Sequence, residues 1–204
     1  MVFANRKAKA SSYGRYVVLI HEIDELVVYS LYAHLSLILD DIEPGLKVKS
    51  GHILGIMGRS AKYVIPAVRA HLHFEIGFVG SYDFDIWMGR YYTPESNKFG
   101  IWNGLNLLGL NPVLILISQH TQGEAFSLSK HLANQPELLC IRIQGEHLPL
   151  AQQQPGLLTP NNKGNLPAGG HEVDLNLNGT PLRIRPLTEW PGGKSRHELV
   201  SVND

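Results

Sequence analysis

Two histidines separated by one residue are the feature of this chain whose type and spacing could do chemistry. They lie in the segment AHLHFE, residues 70–75. In an extended segment, residues i and i+2 project from the same face, so His71 and His73 would lie side by side. Such a pair can bind a transition metal, or one imidazole can bind the metal while the other transfers protons.

A third histidine, His34, stands near the end of the apolar stretch LVVYSLYAHL, residues 26–35. It could join His71 and His73 across a sheet. The chain contains ten histidines, so a His-x-His pair can also arise by chance and serve a structural purpose. The order of the surrounding elements therefore has to decide between a site and a structural role.

The elements around these histidines have the pattern of short strands. Residues 16–20 and 27–31 are rich in β-branched and aromatic residues, and the polar residues 22–25 between them suit a hairpin. Residues 40–45 form a turn with Pro and Gly, and residues 48–55 read as a strand, a tight turn and a second strand. A loop, residues 59–69, leads to a strand that carries His71. The pattern predicts a mainly β fold, an antiparallel sheet or sandwich.

Three motifs in this order resemble the lysostaphin/LytM-type zinc metallopeptidases, which cut peptide bonds in bacterial peptidoglycan. They are YAHL at residues 32–35, the Gly-x-x-Val-x-x-Gly-x-x-x-Gly element at residues 45–55, and HLHFE at residues 71–75. The resemblance covers residues 1–80. It implies a lysostaphin-like fold of the duplicated hybrid motif type, followed by a mixed, β-containing C-terminal extension.

The resemblance also implies a role for each histidine. His73 corresponds to a zinc ligand. His34 and His71 correspond to the imidazoles that orient and deprotonate the attacking water and stabilise the developing oxyanion. Zinc polarises a carbonyl group and lowers the pKa of water, and an imidazole titrating near pH 6.5 suits proton exchange at neutral pH. Glu75 is interpreted as a supporting or surface group rather than the catalytic base.

Two of the family's three zinc ligands come from a His-x-x-x-Asp motif on an early strand, which is not visible here. The segment Val2–Asn5 reads as the middle of a strand. We therefore expect an incomplete Zn²⁺ site, an inactive chain and an uncovered sheet edge that could allow self-association. Substitute ligand pairs are weak candidates because their spacing or position does not match. They are His21 with Asp24, His120 with Glu124, and His171 with Asp174.

These observations predict a zinc-dependent metalloendopeptidase acting on peptidoglycan peptide cross-links, an activity of the complete domain. The alternative is a catalytically inactive module that binds peptidoglycan or a cell-wall protein. A third interpretation takes residues 45–58 as the hairpin of a lipoyl or biotinyl carrier domain. That interpretation is weak because its turn, Lys49-Ser50-Gly51-His52, lacks the usual pattern around a modifiable lysine.

The composition bounds the partners and the location. The 204 residues are 44% hydrophobic and 18% charged with a formal net charge of zero, so nucleic acid is not expected as a partner. The longest apolar runs are too short for a transmembrane span. A single cysteine, Cys140, excludes an internal disulfide and lies in an apolar run. No signal peptide is visible, whereas the resemblance implies a cell-envelope or secreted protein.

The chain divides in our interpretation into a partial metallopeptidase domain, residues 1–80, and an extension of unknown role, residues 81–204. A polar, turn-rich stretch marks a further boundary near residues 151–165. The aromatic segment 82–92 is predicted to pack in a core, with the wall of a substrate site as the alternative. The extension is further predicted to contain a short helix within 123–132 and strands at 138–143, 172–178 and 182–185, the last two joined by a hairpin at Asn178-Gly179.

Overall fold

A computed structural model describes residues 2–93, 97–159, 169–191, 193 and 195–202. The chain forms two compact units. The first contains Met1–His21 and Val28–Pro112, and the second contains Glu22–Val27 and Val113–Asp204. No described helix is long and apolar enough to cross a membrane. The last part of the predicted boundary, residues 160–165, lies outside the described residues.

Antiparallel strands build the first unit, which confirms the mainly β prediction. The described strands are β1 (Val2–Asn5), β2 (Arg15–Ile23), β3 (Leu26–Leu35), β4 (Leu37–Ile38), β5 (Gly55–Ile56), β6 (His73–Val79) and β7 (Leu107–Gly109). The large sheet has the order β1-β2-β3-β6-β7, and β4 pairs with β5 in a small sheet. The pairs β1–β2, β3–β6 and β6–β7 are antiparallel.

The large sheet is buried on both faces because successive side chains of β2 enter different cores. Tyr16 and Val18 pack with Tyr29 and Leu31 of β3 in one cluster. Val17 and Leu19 belong to a second cluster with Leu35, Ile38 and Ile42. Alternate residues of a strand point to opposite faces. The continuous apolar run at residues 16–20 is therefore explained by a strand with apolar neighbours on each side.

The aromatic segment predicted to be a core element is only partly buried. It forms the helix α1 (Phe84–Tyr91). Phe84 and Met88 are buried, whereas the side chains of Trp87 and Tyr91 are 41% and 67% exposed. A helix places one stripe of residues toward the core, so aromatic density alone overestimated the burial of this segment.

The second unit has a sheet of its own. Its described α-helices and strands are α2 (Pro112–Gln122), α3 (Leu128–Ala133), β8 (Leu139–Ile143), α4 (Pro149–Gln153), β9 (Gly170–Leu175), β10 (Pro181–Leu187) and β11 (His197–Val202). Four antiparallel strands follow the order β10-β9-β8-β11. The predicted short helix and the three predicted strands are present with shifted ends, and the turn between β9 and β10 contains Gly179 at φ +74°.

Two local predictions were wrong. Residues 48–54, predicted to form a strand and a tight turn, contain no strand. The short strand β5 (Gly55–Ile56) follows them and pairs with β4. The strand predicted to carry His71 begins at His73, and the exposed residues His71 and Leu72 precede it. The backbone N–H of His71 donates instead to the carbonyl of Gly58 at 3.2 Å, so this residue is fixed by the loop before the sheet.

Candidate active site

His34 lies at the end of β3 in an uncommon backbone conformation. Its φ of 61° is in the left-handed region, which costs a non-glycine residue of order 1–3 kcal/mol and persists only where its surroundings enforce it. The N–H of His34 donates to the carbonyl of Tyr13 at 2.9 Å. The side chain is 4% exposed, so the ring has little freedom to move.

The tautomer of His34 follows from its contact with Ser60. Nδ1 lies 2.8 Å from the Ser60 carbonyl oxygen. A carbonyl can only accept, so Nδ1 carries the proton and Nε2 carries the lone pair of the neutral ring. Burial lowers the pKa of His34, and the Ser60 carbonyl opposes this only in part. His34 is therefore a neutral base with a free acceptor nitrogen at neutral pH.

His71, like His34, has its lone pair on Nε2. Its Nδ1 lies 2.7 Å from the carbonyl oxygen of Arg69, which again makes Nδ1 the donor and leaves the lone pair on Nε2. Unlike His34, this side chain is exposed. It combines a fixed ring orientation with access to solvent, as required of a group that exchanges protons with a substrate.

His73 has its lone pair on the opposite ring nitrogen, Nδ1, because a carboxylate binds Nε2. Nε2 lies 2.6 Å from Oε1 of Glu75. Since an ionised carboxylate only accepts, Nε2 carries a proton and Nδ1 holds the lone pair of the neutral ring. A carboxylate on the second nitrogen is the usual support of a metal-binding histidine, since it fixes the ring and raises its basicity.

Glu75 is itself held by two tyrosines. The hydroxyl of Tyr13 donates to Oε1 at 2.8 Å, and that of Tyr29 donates to Oε2 at 3.0 Å. Burial alone would raise the pKa of Glu75, but the hydrogen bonds from His73, Tyr13 and Tyr29 lower it overall. Burial and the nearby carboxylate raise the pKa of both tyrosines. The network is therefore an ionised carboxylate with three donors.

The structure brings the three predicted site residues together. The ring centroids of His34 and His71 are 4.8 Å apart, and those of His34 and His73 are 5.6 Å apart. The pairing of Ala33 in β3 with His73 in β6 explains this convergence, because it sets the ends of both strands side by side. Three lone pairs, His34 Nε2, His71 Nε2 and His73 Nδ1, therefore belong to one cluster.

This cluster fits part of a zinc site. The Nδ1 donor of His73, with its supporting carboxylate, has the chemistry of a zinc ligand. Among the described residues, however, no group of three or more His, Cys, Asp or Glu side chains could hold a metal ion. The pair His171 and Asp174 offers no substitute, because Arg183 and Arg185 bind the carboxylate of Asp174 at 2.7 and 2.5 Å.

Four residues that support the histidines were missed from the sequence. Ser60 and Arg69 act through their backbone carbonyls, which any residue possesses, so no sequence signal could identify them. Tyr13 and Tyr29 lie far from Glu75 along the chain and read as ordinary core residues. Only Glu75 gave a signal, because it follows His73 by two positions on the same strand face.

Comparison with known proteins relates part of the chain to a peptidase family. No curated protein and no solved structure matches the chain significantly. The sequence model described as peptidase family M23 matches residues 1–83, the segment that contains His34, His71, His73 and Glu75. The resemblance of this segment to the lysostaphin/LytM-type enzymes is thereby confirmed, and residues 1–83 are similar to part of an M23 peptidase domain.

Proposed function

We propose that the M23-like segment serves a zinc-dependent endopeptidase that cuts peptide cross-links of peptidoglycan. The observation that supports this most is the cluster of His34, His71 and His73, in which each ring has one nitrogen fixed by an acceptor. A purely structural cluster would not require the lone pairs of three imidazole rings to lie in the same cluster. This substrate implies a location in the cell envelope or outside the cell.

Each histidine has a distinct task in this proposal. His73 would hold zinc through Nδ1, and zinc when bound would polarise the scissile carbonyl and acidify water. His34, buried and neutral, accepts a proton at Nε2 from the attacking water. His71, exposed and fixed by the Arg69 carbonyl, donates a hydrogen bond or proton at Nε2 when protonated. Glu75 keeps the proton of His73 on Nε2 and so keeps Nδ1 free.

The test supplies the two ligands that the described residues do not provide. A strand carrying the His-x-x-x-Asp motif of a lysostaphin-type enzyme is fused ahead of Val2, and zinc content and amine release from purified peptidoglycan are measured. We expect one zinc per chain and hydrolysis in the fusion, with both lost in His73→Ala and hydrolysis alone lost in His34→Ala. The matched control carries Ala in place of both residues of the grafted motif. A folded fusion that holds zinc and releases no amines would refute the peptidase proposal.

A second candidate function is a non-catalytic module that binds peptidoglycan or a cell-wall protein. It is favoured by the finding that no described group of side chains could hold a metal ion. Co-sedimentation of the 204-residue chain with insoluble peptidoglycan tests it. Binding that survives both chelation and the triple replacement of His34, His71 and His73 by Ala would favour this function over the enzyme.

A further inference from the structure

A cavity of about 350 Å³ lies in the first unit. Three basic residues, Lys9, Arg15 and Arg59, are among the residues that line it, while most of its lining surface is apolar and includes Ala61, Val64 and Ile65. No aspartate or glutamate is among the described residues that line it. Because the whole chain has a formal net charge of zero, this concentration of positive charge is a local property of the cavity.

The two arginines are held in place by backbone acceptors rather than by carboxylates. Nε of Arg15 donates to the carbonyl of Arg6 at 3.2 Å, and Nη1 of Arg59 donates to the carbonyl of Ile65 at 2.9 Å. Within the described part of the chain, Arg15, Arg59 and Lys9 have no carboxylate partner at ion-pair distance. A guanidinium has five N–H donors. Each arginine therefore keeps donors for an anion while its orientation is fixed.

Ser60 joins this cavity to the histidine cluster. Its hydroxyl accepts a hydrogen bond from the backbone N–H of Arg15 at 2.8 Å. Its carbonyl accepts the bond from Nδ1 of His34 at the same distance of 2.8 Å. One residue thus lines the cavity and orients a candidate catalytic imidazole, so a ligand in the cavity would lie against the residue that orients His34.

We propose that this cavity is a subsite that binds a carboxylate of an acidic peptide. A carboxylate is the ligand that matches two oriented guanidinium groups and an ammonium group, since charge-assisted and bidentate hydrogen bonds to arginine are the strongest of their kind. The subsite extends the proposed function. The role of the acidic peptide as a substrate rests on that function. The subsite would select peptides that carry a free carboxylate near the bond to be cut.

The test measures binding in the metal-free, 204-residue chain, so that it does not depend on hydrolysis. The ¹⁵N-labelled protein is titrated with the peptide acetyl-Ala-Glu-Ala-amide and, as a matched probe, with acetyl-Ala-Gln-Ala-amide. We expect millimolar binding of the Glu peptide, chemical-shift changes at residues 59–65 and at Arg15, and no measurable binding of the Gln peptide.

Variants test whether peptide binding depends on the positive charges around the cavity or only on its shape. Arg15→Gln and Arg59→Gln should each weaken binding about tenfold, the loss of one charge-assisted contact. Lys9→Gln, which removes no hydrogen bond described here, should weaken it less while leaving the fold intact. Arg90→Gln on α1 is the control of equal charge change and should have no effect. Three outcomes would overturn the proposal: equal binding of both peptides, chemical-shift changes confined to other surfaces, or no binding of the Glu peptide at about 10 mM. Each would do so whether or not the fusion described above hydrolyses peptidoglycan.

Discussion

At the scale of single residues, the tautomer of each histidine in the cluster is set by the acceptor that binds one of its ring nitrogens. Backbone carbonyls of Ser60 and Arg69 set His34 and His71, and the carboxylate of Glu75 sets His73. The two kinds of acceptor leave opposite nitrogens free. The same cluster can therefore offer one Nδ1 donor for a metal and two Nε2 groups for proton transfer, without any difference in residue type.

Glu75→Ala should change the tautomer of His73 and leave the other two histidines unchanged. Without the carboxylate nothing described here holds the proton on Nε2, so the ring should populate both neutral forms. Long-range ¹H–¹⁵N spectra of the metal-free chain near pH 8 distinguish the two forms. Glu75→Gln keeps an acceptor oxygen and should restore the Nε2–H form in part. An unchanged His73 spectrum in Glu75→Ala would show that another group sets this tautomer.

His171 should make the stability of the protein depend on pH. The residue is 1% exposed in β9, and neither ring nitrogen has a hydrogen-bond partner within the described residues. Burial lowers its pKa below the ordinary value of 6.5, and the nearby Gly145 backbone offsets this in part. The unfolded chain therefore takes up a proton below about pH 6.5 that the folded chain resists, so the free energy of unfolding falls with decreasing pH.

The replacement His171→Leu tests this effect. It removes a buried polar ring that has no hydrogen-bond partner among the described residues. It should therefore raise stability and flatten the pH dependence below about pH 6.5, where one proton contributes at most about 1.4 kcal/mol per pH unit. Urea denaturation at a series of pH values measures it. His120→Leu, on the exposed side of α2, is the control. Parallel curves for the wild type and His171→Leu would assign the pH dependence to other groups.

At the scale of elements, the turn before β2 holds the loop that orients His34. Gly14 has φ +65°, and a Cβ on it would lie 2.0 Å from the backbone oxygen of Ser60. Gly14→Ala should therefore displace Ser60 and cost about 2–4 kcal/mol in the free energy of unfolding. Gly45→Ala is the matched control, because that glycine also has positive φ, +94°, but no atom within 4 Å of the added Cβ. It should cost only about 1 kcal/mol. Urea denaturation of both variants checks the difference, and equal costs would show that the contact with Ser60 is unimportant.

The strands β2 and β3 and the grouping of His34, His71 and His73 could be predicted from sequence because they rest on side-chain patterns. The apolar runs of β2 and β3 and the spacing of His71 and His73 carry that information locally. The left-handed backbone of His34 and the Ser60 carbonyl that orients its ring could not be predicted, since they depend on contacts with residues distant in sequence. The Arg69 carbonyl lies only two residues from His71, but a backbone acceptor gives no sequence signal. The helix α2 gave no clear signal either. Its apolar residues Val113, Leu116 and Ile117 are exposed, so they do not form a buried stripe of helical period.

At the scale of the whole molecule, the strand β1 leaves one side of the large sheet without a described partner. It is the outermost strand and pairs with β2 in the register Val2 with Leu19 through Asn5 with Tyr16. The described strands of the second unit pair only among themselves, so none of them extends this sheet. An edge strand presents unpaired N–H and C=O groups that can pair with another chain.

We therefore expect the chain to self-associate through β1. Static light scattering over a concentration series should show a mass that rises above that of a monomer, because association through an edge follows mass action. Hydrogen exchange should show stronger protection of the β1 amides at high concentration than at low concentration, whereas the amides of β3 inside the sheet should be equally protected at both. A monomer at every concentration, with one cooperative unfolding transition, would contradict this and show that the edge of β1 is protected within a single chain.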